Sequence, residues 1–154
     1  MMLMVSACAC QKPPEAEPNG QVEPTAPSPP APESWPAVVI RNDQGRDWLI
    51  RVELARSPEQ ITRGLMERGP LEPDTGMLFI FPDSRVRSFW MKNTWIPLDM
   101  IFIGEDRRIV GVIENAEPNT ESSRSVGEPS RWVLEVSGGA AKARGVKAGD
   151  RVYF

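Results

Sequence analysis

The stretch 88–102, SFWMKNTWIPLDMIF, places one lysine and one asparagine between two tryptophans. Side chains alternate along a strand, so Trp90 and Lys92 should face outward if the stretch begins as a strand. Asn93 and the following threonine then form a turn, with Trp95 on its far side. Tryptophan offers a flat apolar face, while lysine and asparagine supply directional hydrogen bonds. This combination predicts a binding surface for a small molecule, a glycan or an envelope protein.

The same residues also fit a purely structural role. Both tryptophans could belong to the core, while Lys92 and Asn93 bond backbone carbonyls and fix a turn. Solvent exposure separates the two interpretations. Side chains that line a common recess favour ligand binding, whereas side chains consumed in backbone hydrogen bonds favour a structural or assembly factor with no ligand.

Asp99 is the lone acidic residue in the apolar run IPLDMIFI. Burial of an unpaired carboxylate is costly, so Asp99 should be exposed or paired, with Lys92 and Arg63 as candidate partners. A Lys92–Asp99 pair with lysine as general base defines the alternative function, a hydrolase, although such pairs are more often structural. We assign no catalytic residue. The candidate ligand-binding set is therefore Trp90, Lys92, Asn93, Trp95, Asp99 and Arg63.

Composition removes several kinds of site. The chain of 154 residues has no histidine, and its two cysteines, Cys8 and Cys10, precede the domain. Zinc sites built on His and Cys, a cysteine nucleophile and a Ser–His relay are therefore excluded from the domain. Thioethers can bind copper(I), but the four central methionines lie in apolar segments where methionine fills core space. We expect no metal and no cofactor.

The chain divides by composition into a tail and one domain. Residues 11–36 hold nine prolines and few apolar side chains, which predicts a disordered tether. Residues 37–154 are long enough for one domain with a single core. The domain carries 17 acidic and 17 basic residues without a basic run, so we expect no binding of nucleic acid. No apolar run is long enough for a transmembrane helix.

Residues 1–10 resemble the end of a signal segment. Val5-Ser6-Ala7-Cys8 is similar to the lipobox of bacterial lipoproteins, in which the cysteine becomes the lipidated N-terminus. The resemblance implies a lipid anchor at Cys8 as the only membrane contact. Ala9 after the cysteine implies outer-membrane sorting, with the domain on the periplasmic face. A full signal needs a basic start and a longer apolar stretch, so residues 1–7 are either a truncated signal or no signal.

The domain's patterns predict about seven strands and two short helices. Period-two alternation and turn residues predict hairpins at 38–54 and 97–115, and strands at 77–81, from 88, at 131–137 and at 149–154. Helices are predicted from a Ser57 cap to Gly69 and from a Ser137 cap to Gly145. Residues 116–130 are predicted to be a solvated polar loop. The sum is a single β-rich α+β domain with a curved or barrel-like sheet.

Four segments together resemble one known family. They are GLMER at 64–68, GMLFIF at 76–81, SFWMKNTWIPLDMIFI at 88–103 and VLEVSGGAAKARGVKAGDRV at 133–152. In this order they are similar to the DUF192 family, which is widespread in bacteria and archaea and uncharacterised in function. The resemblance spans nearly the whole domain and implies a β-rich fold that is often exported. It implies no activity, so the candidate residues come from residue chemistry.

Overall fold

The first hairpin follows directly from its alternating side chains. β1 (Ala37–Arg41) pairs antiparallel with β2 (Asp47–Ala55). The Asn42 side chain fixes the turn between them, because its oxygen accepts the backbone amides of Gln44 and Arg46 at 3.0 Å each. In β2, Trp48 is buried whereas its neighbour Leu49 is exposed. The predicted hairpin is confirmed.

Seven strands form one curled sheet in this computed structural model, which describes residues 35–154. The sheet has the order β5-β4-β6-β3-β2-β1-β7, and β2 and β3 are parallel neighbours. Its two edge strands meet at a bridge between Arg108 and Arg151, which curls the sheet into a half-barrel. The β-rich α+β class and the curved sheet are confirmed. The remaining strands are β3 (Thr75–Val86), β4 (Leu98–Ile103), β5 (Ile109–Ala116), β6 (Pro129–Ser137) and β7 (Arg151–Tyr153).

The first helix, α1 (Pro58–Arg63), starts as predicted but ends early. The Ser57 hydroxyl accepts the Gln60 amide at 3.2 Å, and the Gln60 side chain accepts the Ser57 amide at 3.0 Å. This reciprocal capping box satisfies two amides of the first turn. The helix stops at Gly64, whose φ of 48° and ψ of -130° leave the helical region. The prediction that α1 continues to Gly69 was wrong.

The second helix, α2 (Ala140–Arg144), has a cap that comes from a distant strand. Gly145 ends it in the left-handed region, as predicted. The predicted cap at Ser137 was wrong, because Gly139 is the first flanking residue and no side chain of its own caps the helix. Asp99 on β4 instead accepts the Ala141 amide at 2.8 Å. Long-range packing thus replaces a local signal.

Two apolar clusters lie on opposite faces of the sheet. The inner core fills the curl and takes side chains from all seven strands and from α2. The outer core lies between the convex face of β3, β4 and β6 and the chain segments that cover it. The outer core contains Met77, Met91 and Met100, each at most 5% exposed, together with Leu65, Phe79, Phe81 and Phe102.

Two connecting segments cover the outer core, and we name them here. The aromatic segment is 87–95, and the polar loop is 117–128. The strand predicted from Ser88 was wrong, since only a single bridge joins Phe89 to Arg124 there. β3 instead runs past the predicted 77–81 to Val86, because β6 resumes pairing with it after a bulge.

Residues 1–34 lie outside the described residues, and with them the predicted lipidation at Cys8 and most of the predicted tether. The end of that tether contacts the domain, since the Pro36 carbonyl accepts the Val52 amide at 2.8 Å. Within 35–154, no helix has the length and apolar character needed to span a bilayer.

Candidate functional site

A buried carboxyl that has no partner among residues 35–154 lies at the centre of the outer face. Glu135 on β6 is paired in register with Met77 on β3 and with Met100 on β4. It is 4% exposed, and within 35–154 its side chain makes no hydrogen bond or ion pair. Burial raises the pKa of the Glu135 carboxyl to about 8, and no neighbouring charge contributes to the shift. The group therefore carries a proton at neutral pH.

A cavity of ≈ 540 Å³ opens above this carboxyl, and we name it the Glu135 pocket. Its apolar wall is aromatic. Phe89 packs edge-to-face on Phe79, with ring centroids 5.2 Å apart, and on Phe81, at 6.4 Å. Trp90 extends the wall towards solvent. The polar residues of the lining are Thr62, Arg63, Arg87, Ser88, Thr94, Glu121 and Ser123.

The polar loop holds the aromatic wall in place. Phe89 and Arg124 exchange two backbone hydrogen bonds of 2.9 and 2.8 Å, and the Met91 amide donates to the Thr120 carbonyl at 2.8 Å. The hydroxyls of Ser88 and Ser123 are also hydrogen-bonded. The prediction that this loop is only solvated linker was therefore wrong. It positions one wall of the pocket and supplies part of its mouth.

Gly64 leaves open the space directly over the carboxyl. A Cβ atom at this position would lie 3.2 Å from Cζ of Phe79 and 4.0 Å from Oε2 of Glu135. The backbone at Gly64 also has a positive φ that side chains disfavour. Glycine thus allows both the sharp end of α1 and the free volume of the pocket.

Replacing Gly64 with alanine should destabilise the domain by about 1–3 kcal/mol, because the turn becomes strained and the methyl group presses on Phe79. The matched control is Gly69→Ala, since Gly69 lacks a positive φ and a Cβ atom there would meet nothing within 4 Å. That control should stay within about 0.5 kcal/mol of wild type. Urea denaturation measures both. Equal stability of the two variants would contradict this packing.

The three basic side chains at the mouth differ in whether they already have a partner within the protein. Arg87 donates to Asp83, and its guanidinium lies 4.0 Å from the Phe81 ring centroid. Lys92 pairs with Glu121 at 3.4 Å and lies 5.4 Å from the Trp90 ring centroid. Arg63 is exposed and forms no ion pair with any residue from 35 to 154. The mouth therefore offers one unpaired guanidinium.

The structure brings only part of the predicted site together. Trp90 and Arg63 line the Glu135 pocket, and Lys92 lies beside it through its contacts to Glu121 and Trp90. Trp90 is 45% exposed, and Trp95 is 59% exposed but outside the lining. The turn is centred one residue earlier than predicted, on Lys92 and Asn93, with the Thr94 amide bonded to the Met91 carbonyl at 3.2 Å.

Asp99 lies outside the Glu135 pocket, and both of its carboxylate oxygens accept hydrogen bonds. It is 0% exposed, and its carboxylate accepts the backbone amides of Asn115, Gly139 and Ala141 at 2.7 to 2.8 Å. Within the described part of the chain it forms no ion pair with Lys92 or Arg63, so the expected pairing was wrong. The Lys92–Asp99 pair of the alternative hydrolase has no geometric basis.

Sequence reasoning missed the central residue of the pocket. Glu135 is a lone acid in the apolar run WVLEVS, which is the same signal that drew attention to Asp99. The aromatic wall was missed because Phe79, Phe81 and Phe89 converge only through the pairing of β3 with β6 and the bridge to the polar loop. Local pattern cannot show that convergence.

A wider cleft of ≈ 700 Å³ lies beside Trp48 but has no free polar group of this kind. Asp74 at its edge accepts the Trp48 indole N–H at 2.6 Å and the Arg144 guanidinium at 2.7 Å. The buried Thr75 hydroxyl donates to the Glu72 carbonyl at 2.7 Å, and the Glu72 side chain is exposed to solvent rather than buried. The Glu135 pocket is the stronger candidate although it is the smaller space.

Known proteins match this chain in sequence and in fold. A family model, DUF192, described as "Uncharacterized ACR", matches residues 39–154. A solved protein of Sinorhizobium meliloti 1021, described as a candidate transcription regulator, is 44% identical with a TM-score of 0.74, over 76% of this chain and 91% of that one. A solved protein of unknown function from Novosphingobium aromaticivorans DSM 12444 is 35% identical with a TM-score of 0.76, over 90% and 100%. No curated protein matches.

Proposed function

Because the chain belongs to the DUF192 family, whose description names no activity, we propose from its own geometry that the domain binds a small organic ligand in the Glu135 pocket. One observation carries the proposal. A carboxyl that is 4% exposed lines a cavity and lacks any partner within 35–154. Buried polar groups in native proteins nearly always have a partner, so a missing one points to a ligand.

The size and lining of the pocket support a small molecule over the other two ligand classes. A volume of ≈ 540 Å³ falls within the range of about 300–1,000 Å³ that is typical of small-molecule sites. The lining combines aromatic rings with a few polar groups, as such sites do. Trp90 and Arg63 from the sequence-based set belong to this lining. Trp95 and Asn93 are exposed outside it and would suit contact with a glycan or an envelope protein.

The proposal does not include nucleic acid. The name of the Sinorhizobium meliloti relative concerns transcription, but this domain has equal numbers of acidic and basic residues, 17 of each between 37 and 154. A nucleic-acid site needs a concentrated basic surface to neutralise phosphates.

We propose that the domain works in the bacterial cell envelope. The support is the lipobox-like sequence ending at Cys8 and the proline-rich stretch after it. A lipid on Cys8 would hold the chain to the outer membrane, and the tether would let the domain stand away from the surface on the periplasmic side. The pocket would then sample small molecules of the periplasm.

A thermal-shift screen of the full chain tests the proposed binding. The compounds should be fragment-sized aromatics of each charge class, and a true ligand raises the melting temperature because it binds the folded state. The stabilisation should persist in Trp95→Ala, which changes an exposed residue outside the pocket, and should be lost in Phe89→Leu. If no compound stabilises the wild type, or if hits stabilise Phe89→Leu equally well, the pocket is not the binding site.

A further inference from the structure

The pocket's rings and carboxyl share a single position that a ligand group could occupy. The point where Gly64 lacks a Cβ is 3.2 Å from Phe79 Cζ and 4.0 Å from Glu135 Oε2. A group that enters above Gly64 therefore touches an aromatic ring and the carboxyl at the same time. The charged groups around this position determine which charge the ligand group should carry.

The aromatic wall already attracts cations. The guanidinium of Arg87 lies over the Phe81 ring, and the ammonium of Lys92 lies over the Trp90 ring. The face of an aromatic ring is electron-rich and stabilises a nearby positive charge. Phe79 and Phe89, the two other rings of the wall, have no such cation among the described residues. Phe79 lies beside the position above Gly64, and Phe89 packs on Phe79 with ring centroids 5.2 Å apart.

Among residues 35–154, no cation pairs with Glu135. The groups that face it from β3, β4 and β6 are apolar, namely Phe79, Met77, Met100 and Val133. From the covering segments, α1 brings Arg63, the aromatic segment brings Arg87 and the polar loop brings Glu121 to the lining. None of the three shifts the pKa of the Glu135 carboxyl, which burial alone raises. Within residues 35–154, no positively charged group therefore occupies the position beside the Glu135 carboxyl.

From this geometry we infer that the ligand of the proposed function is an organic cation, with an ammonium group against the Glu135 carboxyl and an apolar body along Phe79 and Phe89. An ammonium satisfies the unpartnered carboxyl by a charge-assisted hydrogen bond, which is stronger than a bond between neutral groups. An anion could accept only the proton of the neutral carboxyl here, because the unpaired guanidinium of the lining, Arg63, lies at the mouth. A neutral hydroxyl would gain only the weaker bond.

Binding of a cation should change the protonation state of Glu135. The empty site holds Glu135 in its neutral form, since burial raises its pKa to about 8. An ammonium ligand keeps its own protons and pairs with the carboxylate, so the proton of Glu135 passes to the solvent. Near neutral pH, binding therefore releases up to one proton, whereas an alcohol of the same shape releases none.

Calorimetry on the full chain with three matched probes tests this inference. The probes are 2-phenylethylamine, 2-phenylethanol and 3-phenylpropanoate, each titrated in two buffers of different ionisation enthalpy. The amine should bind about ten-fold more tightly than the alcohol, and its apparent enthalpy should change with buffer because a proton is released. Glu135→Gln should abolish both effects, so that the amine and the alcohol bind with similar affinity. Glu114→Gln is the control for loss of a negative charge, because Glu114 is an exposed carboxyl on β5. This control should bind the probes as the wild type does.

The outcomes separate this inference from the function on which it rests. If the alcohol binds the wild type as tightly as the amine, or if the amine keeps its affinity in Glu135→Gln, the ligand is not a cation and the pocket proposal stands. If none of the three probes binds at millimolar concentration, the cation inference is overturned, and the broader screen with Phe89→Leu still decides the pocket.

Discussion

Replacing Glu135 with glutamine should stabilise the protein, and the gain should grow as the pH rises. The pKa of this carboxyl is raised from 4.5 to about 8 on folding because the group is buried. Between these values the unfolded chain has released the proton and the native protein still holds it. The native state then binds more protons, so wild-type stability falls with rising pH by about 1.4 kcal/mol per unit. Over the whole window the loss is on the order of 5 kcal/mol.

Glutamine has nearly the same shape and no charge, so it removes this loss. Chemical denaturation of wild type and Glu135→Gln at pH 5, 6, 7 and 8 measures the difference in unfolding free energy at each pH. The difference should be small near pH 5 and largest near pH 8. Glu114→Gln removes an exposed carboxyl and should keep the wild-type slope. Parallel curves for wild type and Glu135→Gln would show that the carboxyl ionises freely and that water reaches it in the native state.

A stability gain on removal of a buried group is what a binding site predicts. A residue that serves only the fold should cost stability when it is changed, as most substitutions do. Sites built for a ligand hold polar groups in apolar surroundings, and loss of those groups often stabilises the empty protein. The pH series therefore tests, without knowledge of the ligand, whether Glu135 destabilises the empty protein or supports its fold.

The fate of Asp99 and Glu135 shows what local sequence could and could not predict. Each is a lone acid in an apolar strand, and the strands were found from their apolar character. The two side chains have opposite surroundings. Asp99 meets three amides donated by the ends of β5 and α2, whereas Glu135 meets only apolar groups from neighbouring strands. Register and long-range packing decide this difference, and neither can be read from an isolated strand.

Local signals sufficed where both partners lie close in the chain. The Ser57 capping box, the β1–β2 hairpin and the Gly145 end of α2 were predicted because each depends on a few adjacent residues. Predictions failed for the Ser88 strand, whose segment is held by the polar loop about thirty residues later. α1 likewise ends at Gly64, and the chain beyond it is tied to the aromatic segment, since the Glu67 amide donates to the Asn93 carbonyl at 2.8 Å. Tertiary contact overrides propensity in both cases.

Replacing Asp99 with alanine should destabilise the domain strongly, by about 3–5 kcal/mol. The substitution removes an acceptor shared by three backbone amides, and hydrogen bonds to a charged group contribute about 1.5–3 kcal/mol each, although not additively. It also leaves the Ala141 amide buried without a partner, which carries its own desolvation cost. The first turn of α2 then loses the group that caps it.

Asp106→Ala is the matched control for this change. Asp106 is also a carboxylate that accepts a backbone amide, from Arg108 at 3.0 Å, but it lies in an exposed turn where water can replace it. Its loss should cost about 1 kcal/mol or less. Urea denaturation gives both values, and hydrogen exchange at the Ala141 amide reports whether α2 loosens. A loss below about 1 kcal/mol for Asp99→Ala would mean that this carboxylate is dispensable to the fold. It would then return to the set of candidate ligand-binding residues, because a buried acid that adds no stability needs another reason for its place.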